Sequence, residues 1–383
     1  MKIGLLGLGT IGSGIFEHLR GCGDIEVKRI LELIRHPGLE HLETSDYNDI
    51  LSDPEIDTVV ELIGGMEPAH TFTVQALKAG KNVVSANKLM FSHHMEEILT
   101  LARENGVQYR YDASVGGSIP FLYNLMRYRA ADRLTAVYGI VNGTTNLILD
   151  VMQTSGADFD EVLKQAQAQG YAEANPAADI DGIDARCKIA IAASTAYQLY
   201  VRPEDVATEG IRHITGADIL RFREMGRVCR LIARSELVGE GVVTAYVEPT
   251  LVAADDGEAA VRLNNNAISV VGDYFGVHTF QGQGAGKDPT AFAVELGLRD
   301  IQNGVSPRFA PIPEGYARVD NAKAGRRYYL RTSADPGEGA EALGACAGGT
   351  AYLTAPMSVA AMHALAKRLR AEDEDLFFAG IRE

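Results

Sequence analysis

Cysteine is scarce in this sequence, and the few cysteines follow no recognisable pattern. The 383 residues contain four of them, with neither CxxC pairing nor the spacing of zinc ligands. No secretory signal precedes the first predicted strand. We therefore expect no disulfide framework and no zinc site built from cysteines, and a reducing, cytoplasmic setting fits best. The four residues are Cys22, Cys187, Cys229 and Cys346.

Long apolar runs and an excess of basic residues are also missing. No apolar run approaches the roughly 20 residues that a membrane-spanning helix needs. The 36 basic residues are outnumbered by 51 acidic ones, which gives a formal charge of −15. A phosphate backbone or an anionic membrane surface would be repelled overall. We expect a soluble protein that binds neither nucleic acid nor membrane.

The N-terminal residues contain the pattern of a dinucleotide-binding turn. A short apolar strand at residues 2–6 runs into Gly-x-Gly-x-x-Gly, and residues 13–20 continue at helical spacing. The first glycine permits the tight turn, the second lets a pyrophosphate approach backbone N–H groups, and the third lets the helix pack closely. We predict that Gly7, Gly9, Thr10, Ile11 and Gly12 contact a dinucleotide.

Strand and helix patterns then alternate, which predicts a doubly wound parallel sheet. Strands are expected at residues 26–33, 58–63 and from residue 82, with a helix at 68–79. Ligands of such sheets lie beyond the carboxyl ends of the strands. Gly64, Gly65, Ala86 and Lys88 fall there, so they are predicted cofactor contacts. The alternative for Lys88 is an ordinary exposed loop lysine.

The choice between NAD and NADP depends on the end of the second strand. An acidic residue there binds the ribose 2′-hydroxyl, and a basic one binds the 2′-phosphate. Glu32 suits the first role, whereas Arg35 and His36 suit the second. The sequence leaves this preference open.

Residues 170–188 gather five acidic and basic side chains around one lysine, just before an apolar helical run. If the helix starts near Asp181 as its N-cap, Asp184 lies in the first turn and Lys188 one turn further on the same face. The alternative is a solvated helix start with a surface ion pair, worth only a few tenths of a kcal/mol, roughly.

Taken in order, several segments resemble the homoserine dehydrogenase family, from the N-terminus to about Asp300. The glycine turn is one of them, and two further segments are rich in glycine and hydroxyl groups. The matching blocks are Gly7 to Gly12, Ser85 to Lys88, Ala113 to Pro120, Gly139 to Asn146, Gly170 to Lys188 and Gly284 to Ala291.

The resemblance implies the NAD(P)H-dependent, reversible reduction of L-aspartate 4-semialdehyde to L-homoserine, within threonine, methionine and isoleucine biosynthesis. It implies that Glu173 and Asp184 hold the amino acid, and that Lys188 and Lys88 flank the reacting carbon. Thr144 would contact the substrate. The segment containing Gly284 and Gly286 would return to the nucleotide.

The family's monovalent-cation loop maps onto backbone oxygens around Asp112, Val115, Gly117 and Ile119. Aspartate stands at 112 where the family usually has glutamate, and Ser118 stands where glycine is common. A bound Na⁺ is therefore an expectation with two departures from the family pattern.

The chemistry that the resemblance implies agrees with these side-chain types. Hydride transfer to an aldehyde carbon leaves an alkoxide, and an ammonium group such as Lys188 can stabilise the charge and donate the proton. Asp184 can orient that lysine, or can bind the substrate ammonium together with Glu173. His93 and His94 offer no obvious third metal ligand, so we interpret them as a surface pair.

Beyond a proline-rich connector at residues 307–313, the tail opens like an ACT domain. The pattern predicts strand, helix, strand, helix and strand, with the first helix at residues 341–347. Two interpretations of this tail are open. It is either a shortened ACT-like unit, completed by pairing across a dimer, or a tail that caps the catalytic domain.

We therefore expect an α/β protein with a Rossmann domain at 1–130 and a return segment near 284–310. An α+β substrate and dimerisation domain at 131–283 and a small domain at 320–383 would follow. A homodimer or homotetramer is expected. The alternatives are another NAD(P)-dependent amino-acid or semialdehyde dehydrogenase, and a nucleotide-bound sensor without turnover.

Overall fold

In the computed structural model, which describes residues 1–305 and 312–382, the first strands form a six-stranded parallel sheet in the order 3-2-1-4-5-6. This is the strand order of the dinucleotide-binding doubly wound fold, with its switch point between the first and fourth strands. The strands are β1 (Lys2–Leu6), β2 (Glu26–Leu31), β3 (Glu43–Thr44), β4 (Thr58–Glu61), β5 (Asn82–Ser85) and β6 (Tyr109–Arg110).

A mixed sheet is built from residues after position 133. Within the described part of the chain it has eleven strands, with the main path β12-β11-β7-β9-β10-β19-β15-β17-β16, while β8 and β13 pair with β10 and β14 pairs with β18 apart from it. The strands are β7 (Leu134–Ile140), β8 (Ala207–Thr208), β9 (Arg227–Gly239), β10 (Val242–Ala253), β11 (Asn265–Gly272), β12 (Gly276–Gln283), β13 (Arg318–Val319), β14 (Gly325–Arg326), β15 (Tyr328–Thr332), β16 (Ala340–Cys346), β17 (Gly349–Thr354), β18 (Met357–Ser358) and β19 (Phe377–Ile381).

Helices connect these strands, as the alternating sequence pattern predicts. They are α1 (Thr10–Leu19), α2 (Asn48–Leu51), α3 (Ala69–Lys78), α4 (Lys88–Glu104), α5 (Phe121–Arg129), α6 (Gly143–Ser155), α7 (Phe159–Ala168), α8 (Ala177–Ile180), α9 (Ile183–Tyr197), α10 (Gly216–Glu224), α11 (Lys287–Gln302) and α12 (Val359–Leu369). No helix in residues 1–305 or 312–382 combines the length and apolar character required to cross a bilayer.

The chain divides into two compact units. The first unit comprises Met1–Asp132, Ser194–Tyr200 and Gly282–Gly315, and the second comprises Arg133–Ala193, Val201–Gln281 and Tyr316–Glu383. The four-part domain scheme drawn from the sequence stays a prediction. Residues 306–311, which include most of the predicted connector and the end of the return segment, lie outside the described residues.

Helices α1 and α11 pack together against the parallel sheet of the first unit. Their buried apolar side chains join those of β1, β4 and β5 in one core, which includes Ile15 and Val294. Gly14 permits this contact, because a Cβ there would lie 2.9 Å from the Cγ atom of Lys287. The return segment therefore contributes directly to the core that supports the glycine turn.

The tail extends the mixed sheet through β19. This strand pairs in parallel with β10 and in antiparallel fashion with β15, and α12 packs over Tyr328 and Phe378. The helix predicted at residues 341–347 is wrong, because that segment is β16, paired in a hairpin with β17. Ala347 and Gly348 (φ 83°) form the turn between the two strands, and Gly344 weakens the helical alternative.

Candidate active site

The glycine turn has the backbone geometry that its sequence predicts. Gly7 has a φ of 90°, and a Cβ at Gly12 would lie 2.1 Å from the carbonyl oxygen of Gly7. A Cβ at Gly9 would meet nothing within 4 Å. Thr10 and Ile11 open α1, so their N–H groups lie at its N-terminus. The strand and helix thus pack closely at Gly12, and the space beside Gly9 is open. Both features suit a pyrophosphate bound at this turn.

A buried hydrogen-bond network fixes the carboxyl ends of β4 and β5. The Ser85 hydroxyl donates to Glu61 Oε2 at 2.7 Å, and the amide side chain of Asn87 donates to the carbonyl of Gly65 at 2.8 Å. Asn87 also caps α4, whose first residue is the half-buried Lys88. Gly64 and Gly65 have positive φ angles, and Ala86 lies between the networked residues.

Glu61 is a member of this network that the sequence analysis did not single out. Its other carboxylate oxygen accepts from the N–H of Ile63 at 3.0 Å, and its side chain is fully buried. Burial raises the pKa of Glu61, while hydrogen bonds from Ser85 and the following N–H groups act in the opposite direction. A charged residue within the apolar run 58–63 was the available signal.

The end of β2 places acidic and basic groups in different surroundings. Glu32 Oε2 accepts from the N–H of Leu8, inside the glycine turn, at 2.8 Å. By contrast, Arg35 donates to the carbonyl of Glu43 at 2.9 Å, and His36 Nδ1 lies 2.8 Å from the buried carboxylate of Glu43. The acid therefore lies at the turn, whereas both basic side chains are paired with Glu43.

The pKa of Glu32 reflects this position. Burial alone would raise the pKa, but the N–H groups of Leu8, Leu33 and Ile34 oppose it, and the pKa lies below its usual value. Glu32 is therefore ionised near neutral pH.

The predicted cation loop packs against the predicted nucleotide-return segment. A Cβ at Gly117 (φ 54°) would lie 2.8 Å from the carbonyl carbon of Gly284, and Ser118 donates to the Gln283 carbonyl at 3.3 Å. Gly286 (φ 123°) precedes α11 as its N-cap. Glycine is required at these positions by close backbone approach and by backbone conformation.

Asp112 lies at the start of this loop, in a 3₁₀ helix. Its Oδ1 atom is buried and has no hydrogen-bond partner among the described residues. Burial raises the pKa of Asp112 to about 6, although the Arg110 charge lowers it. Val115 and Ile119 are buried, and the Ile119 carbonyl accepts from the N–H of Phe121 at 2.7 Å. A cation near Asp112 would satisfy its unpaired oxygen.

In the second unit, Lys188 and Asp184 form the ion pair that their spacing predicts. Lys188 Nζ lies 2.7 Å from Asp184 Oδ2, and each side chain is only 7% exposed. Lys188 also donates to the Val141 carbonyl at 2.7 Å. An ammonium group has three donors, and the described contacts use two of them. The alternative of a solvated surface pair is therefore wrong.

Asn142 is the partner that sequence reasoning missed. Its side-chain amide donates to Asp184 Oδ2 at 2.9 Å and to Asp179 Oδ1 at 2.7 Å. The side-chain oxygen Oδ1 of Asn142 accepts from the N–H of Thr145, so Asn142 is the N-cap of α6. One residue thus joins the start of α6 to the acid that contacts Lys188. Its place in the Gly139 to Asn146 block was the available signal.

The other charged residues of the 170–188 segment have separate surroundings. Helix α9 begins at Ile183, so Asp181 is not its N-cap as expected. Asp181 is instead the C-cap of α8 and forms a bidentate pair with Arg212. Glu173 is exposed, and its carbonyl accepts from Gln167. The hydroxyl of Thr144 donates to the Tyr171 carbonyl at 2.9 Å, which ties this segment to α6.

A 3-2-1-4-5-6 parallel sheet with a glycine turn, together with a buried lysine–aspartate pair, defines the chain as an NAD(P)-dependent oxidoreductase. The family profile described as homoserine dehydrogenase matches residues 120–301, and the profile of that enzyme's NAD binding domain matches residues 7–112. The chain belongs to the homoserine dehydrogenase family.

Individual relatives support this assignment. The chain is 44% identical to the homoserine dehydrogenase of Synechocystis over 309 residues, covering 77% of this chain and 71% of the relative. Identity to the Bacillus subtilis enzyme is 39% over 313 residues, with the same coverages. A homoserine dehydrogenase structure from Thiobacillus denitrificans has a TM-score of 0.86 at 32% identity and covers 100% of this chain and 98% of that one.

The predicted family, fold class and enzyme class are therefore confirmed. The chain is a homoserine dehydrogenase in function, an NAD(P)-dependent oxidoreductase that interconverts L-aspartate 4-semialdehyde and L-homoserine in amino-acid biosynthesis.

Proposed function

We propose that Lys188 is the proton donor of the aldehyde reduction. The observation that supports it is a buried ammonium bonded to Asp184 and to the Val141 carbonyl. Bound nicotinamide supplies the hydride. The ammonium stabilises the alkoxide charge that develops and transfers a proton to that oxygen, and Asp184 and Asn142 hold the lysine in position beforehand.

Substitution of Lys188 tests this role. Lys188→Ala is expected to lower kcat by about 10²- to 10⁴-fold, the usual contribution of a general acid. Cofactor affinity should change little, because the ammonium acts on the transition state. The matched control is Lys164→Ala, an exposed lysine on α7. Near-normal turnover by a folded Lys188→Ala enzyme would exclude the role.

Asp184 separates positioning from substrate binding. If it orients Lys188, Asp184→Asn should lower kcat and alter its pH profile while KM for the semialdehyde changes little. If it binds the substrate ammonium instead, KM should rise at nearly constant kcat. The short Asp184–Lys188 distance of 2.7 Å favours the first outcome.

Glu173 and Thr144 are proposed substrate contacts. Glu173 is exposed, so its carboxylate is accessible to a ligand ammonium. Glu173→Gln should chiefly raise KM for the amino acid, while Glu161→Gln, an exposed acid on α7, should leave it unchanged. An unaltered KM in Glu173→Gln would remove that carboxylate from the substrate site.

Lys88 and the glycine segments are proposed cofactor contacts, and Lys88 is proposed as a second ammonium in catalysis. Lys88 begins α4 after an Asn87 cap that the network around Glu61 holds rigidly. The glycines at 64, 65, 284 and 286 leave backbone free to approach a nucleotide. Lys88→Ala should lower kcat without lowering the melting temperature (Tm), which separates catalysis from structure.

We also propose that the enzyme prefers NAD(H) to NADP(H). Glu32 is ionised beside the glycine turn, where it can accept from the ribose 2′-hydroxyl and repels a 2′-phosphate. The basic residues Arg35 and His36 are engaged by Glu43, which offsets their attraction for a phosphate.

Steady-state assays with each cofactor test this preference. Wild type should show a higher kcat/KM for NADH than for NADPH. Glu32→Ala should lower the value for NADH by about tenfold, the effect of roughly 1.4 kcal/mol, and raise the value for NADPH. Glu40→Ala is the control, because Glu40 is exposed in the same loop. A wild-type preference for NADPH would contradict the proposal.

A monovalent cation such as Na⁺ is proposed at the loop of Asp112, Val115, Gly117 and Ile119. The unpartnered oxygen of Asp112 is the feature that suits a cation. The ion would organise the loop that packs on Gly284. Activity and Tm in sodium chloride and in choline chloride should then differ at equal ionic strength, and equal values would exclude the ion.

The working assembly is proposed to be a homodimer in the cytoplasm. Tyr274 and Val277, at the β11–β12 turn and in β12, are 89% and 55% exposed, and exposed apolar residues on a sheet are typical of an interface. The four cysteines are free thiols, which suits a reducing compartment. Light scattering should give twice the chain mass, and Val277→Asp should shift it toward the monomer.

A further inference from the structure

Three potential metal ligands from α3 and α4 converge on one side of the first unit. Nε2 of His70 lies 2.8 Å from Oε2 of Glu97, and Nδ1 of His94 lies 3.4 Å from the same oxygen. The three ligand atoms all lie within 4.8 Å of one another. The imidazole rings of the two histidines stack with centroids 3.8 Å apart.

These separations are close to those in a tetrahedral site. Zinc binds histidine nitrogen and carboxylate oxygen at about 2.0–2.2 Å, so neighbouring ligand atoms lie roughly 3.3 Å apart. The His94–Glu97 separation already has this value, and the His70–Glu97 hydrogen bond must lengthen by about half an ångström. The two imidazole rings must also rotate out of their stack, because near-parallel rings cannot both direct a nitrogen lone pair at one ion. All three side chains are partly exposed, which leaves room for that rotation.

We propose that His70, His94 and Glu97 bind a divalent transition metal of the Zn²⁺ class, with water completing the coordination and the ion joining α3 to α4. None of these three residues belongs to the proposed proton donor or to the proposed cation loop. Two imidazoles and one carboxylate suit zinc and its neighbours in the first transition series rather than magnesium or calcium.

A neighbouring carboxylate, that of Glu67, contacts the other ring nitrogen of His70. Nδ1 of His70 lies 3.3 Å from Oε1 of Glu67, while Nε2 of the same ring points to Glu97. Metal-bound histidines commonly use their second ring nitrogen to donate to a carboxylate, which fixes the tautomer and the ring orientation. Glu67 also accepts from the Thr71 hydroxyl at 2.8 Å, so the acid is itself held in place.

The backbone of α4 departs from helical geometry at His94. Its φ of −121° and ψ of 18° differ from the helical values near −63° and −42°, so the side chain need not follow the regular spacing of its helix. The preceding histidine, His93, bonds the Leu89 carbonyl in its own helix through Nδ1 at 2.8 Å. Adjacent histidines thus have different environments, and only His94 joins the cluster.

Zinc titration of the full chain, purified without a polyhistidine tag and treated with a chelator, tests the proposal. A chromophoric competitor at pH 7.5 should report one Zn²⁺ per chain, with micromolar or tighter affinity and a rise in Tm. His70→Gln and His94→Gln should each weaken binding at least tenfold. His93→Gln is the matched control with unchanged affinity, because glutamine can still donate to the Leu89 carbonyl.

Co²⁺ provides a second readout that does not depend on the variants folding. A four-coordinate Co²⁺ site in wild type should give intense visible absorption that Zn²⁺ displaces stoichiometrically. Equal zinc affinity in wild type, His70→Gln and His94→Gln would overturn the proposal. Failure to detect stoichiometric binding at zinc concentrations 100-fold above the competitor's detection limit would do the same. It would leave His70 and His94 as a stacked pair that shares Glu97.

Discussion

At the scale of single residues, Asp112 combines burial with an unpaired oxygen. Burial raises its pKa to about 6, nearby Arg110 opposes this rise, and the charge of Asp300 adds to it. A carboxyl group in an unfolded chain titrates near 3.9. The folded protein therefore binds the Asp112 proton more tightly than the unfolded chain does, and ionisation of Asp112 destabilises the fold.

This difference predicts a pH-dependent stability. The contribution of protonated Asp112 to the free energy of unfolding is fully present below about pH 4 and is lost as the pH rises through 6. This loss amounts to about 2 to 3 kcal/mol. Asp112→Asn cannot ionise, so the difference in free energy of unfolding between wild type and variant should shift against wild type over this range. Urea unfolding in choline chloride at pH 4, 5, 6 and 7 measures it.

Sodium supplies the internal control for that prediction. A cation at the Asp112 oxygen would favour the ionised form, so the loss between pH 4 and 6 should shrink in sodium chloride. A pH-independent difference between wild type and Asp112→Asn in choline chloride would show that the carboxyl is solvated in solution.

The residue scale also shows which contacts a sequence reveals. The Asp184–Lys188 pair was predictable, because helix geometry brings residues four apart onto one face. The Asn142 and Val141 partners were not predictable as contacts, because they approach only through tertiary packing across more than 40 residues of chain. Asp181 and Arg212 illustrate the same limit: the acid was visible, but its partner was not.

At the scale of elements, β1, the glycine turn and α1 act as one structural unit with two kinds of glycine. The fold requires glycine at position 12, because a Cβ added there would lie 2.1 Å from the carbonyl oxygen of Gly7. Gly9 has open space at the same position, so any need for glycine there comes from the ligand.

Two alanine variants should separate these needs. Gly12→Ala should lower Tm by several degrees and weaken NADH binding, because α1 must move away from β1. Gly9→Ala should leave Tm unchanged but weaken NADH binding, because its methyl group occupies the space for the pyrophosphate. Thermal unfolding and NADH fluorescence titration measure both effects. Equal losses of Tm would indicate that Gly9 also has a structural role.

Strands and helices were predicted correctly where burial produces a clear pattern of apolar residues in the sequence. The strands predicted at residues 2–6, at 58–63 and from residue 82 correspond to β1, β4 and β5, and the order of strands and helices then indicated the parallel sheet. The helix prediction for residues 341–347 was wrong because β16 is an edge strand whose residues are largely exposed on both faces. Such a strand has neither an apolar run nor an alternating pattern, so only its hairpin partner identifies it.

At the scale of the whole molecule, the tail and the rest of the second unit share one hydrogen-bonded sheet and one buried ionic network. Arg331 of β15 donates through Nε to Asp218 of α10 at 3.0 Å, and both side chains are almost fully buried. Tyr329 donates to the same carboxylate at 2.7 Å, and Asp218 forms the capping box of α10 with Thr215.

This arrangement predicts that the tail does not unfold independently. Arg331→Met leaves the Asp218 charge buried and poorly compensated, a change that typically costs about 3–5 kcal/mol. Hydrogen exchange measured by mass spectrometry should then show equal loss of protection in β15 and in β10, because both belong to one cooperative unit. Arg318→Met is the control, since Arg318 is exposed and its ion pair with the partly exposed Asp320 contributes about 0–1 kcal/mol. Loss of protection confined to residues 328–381 would instead identify the tail as a domain of its own, as the sequence first suggested.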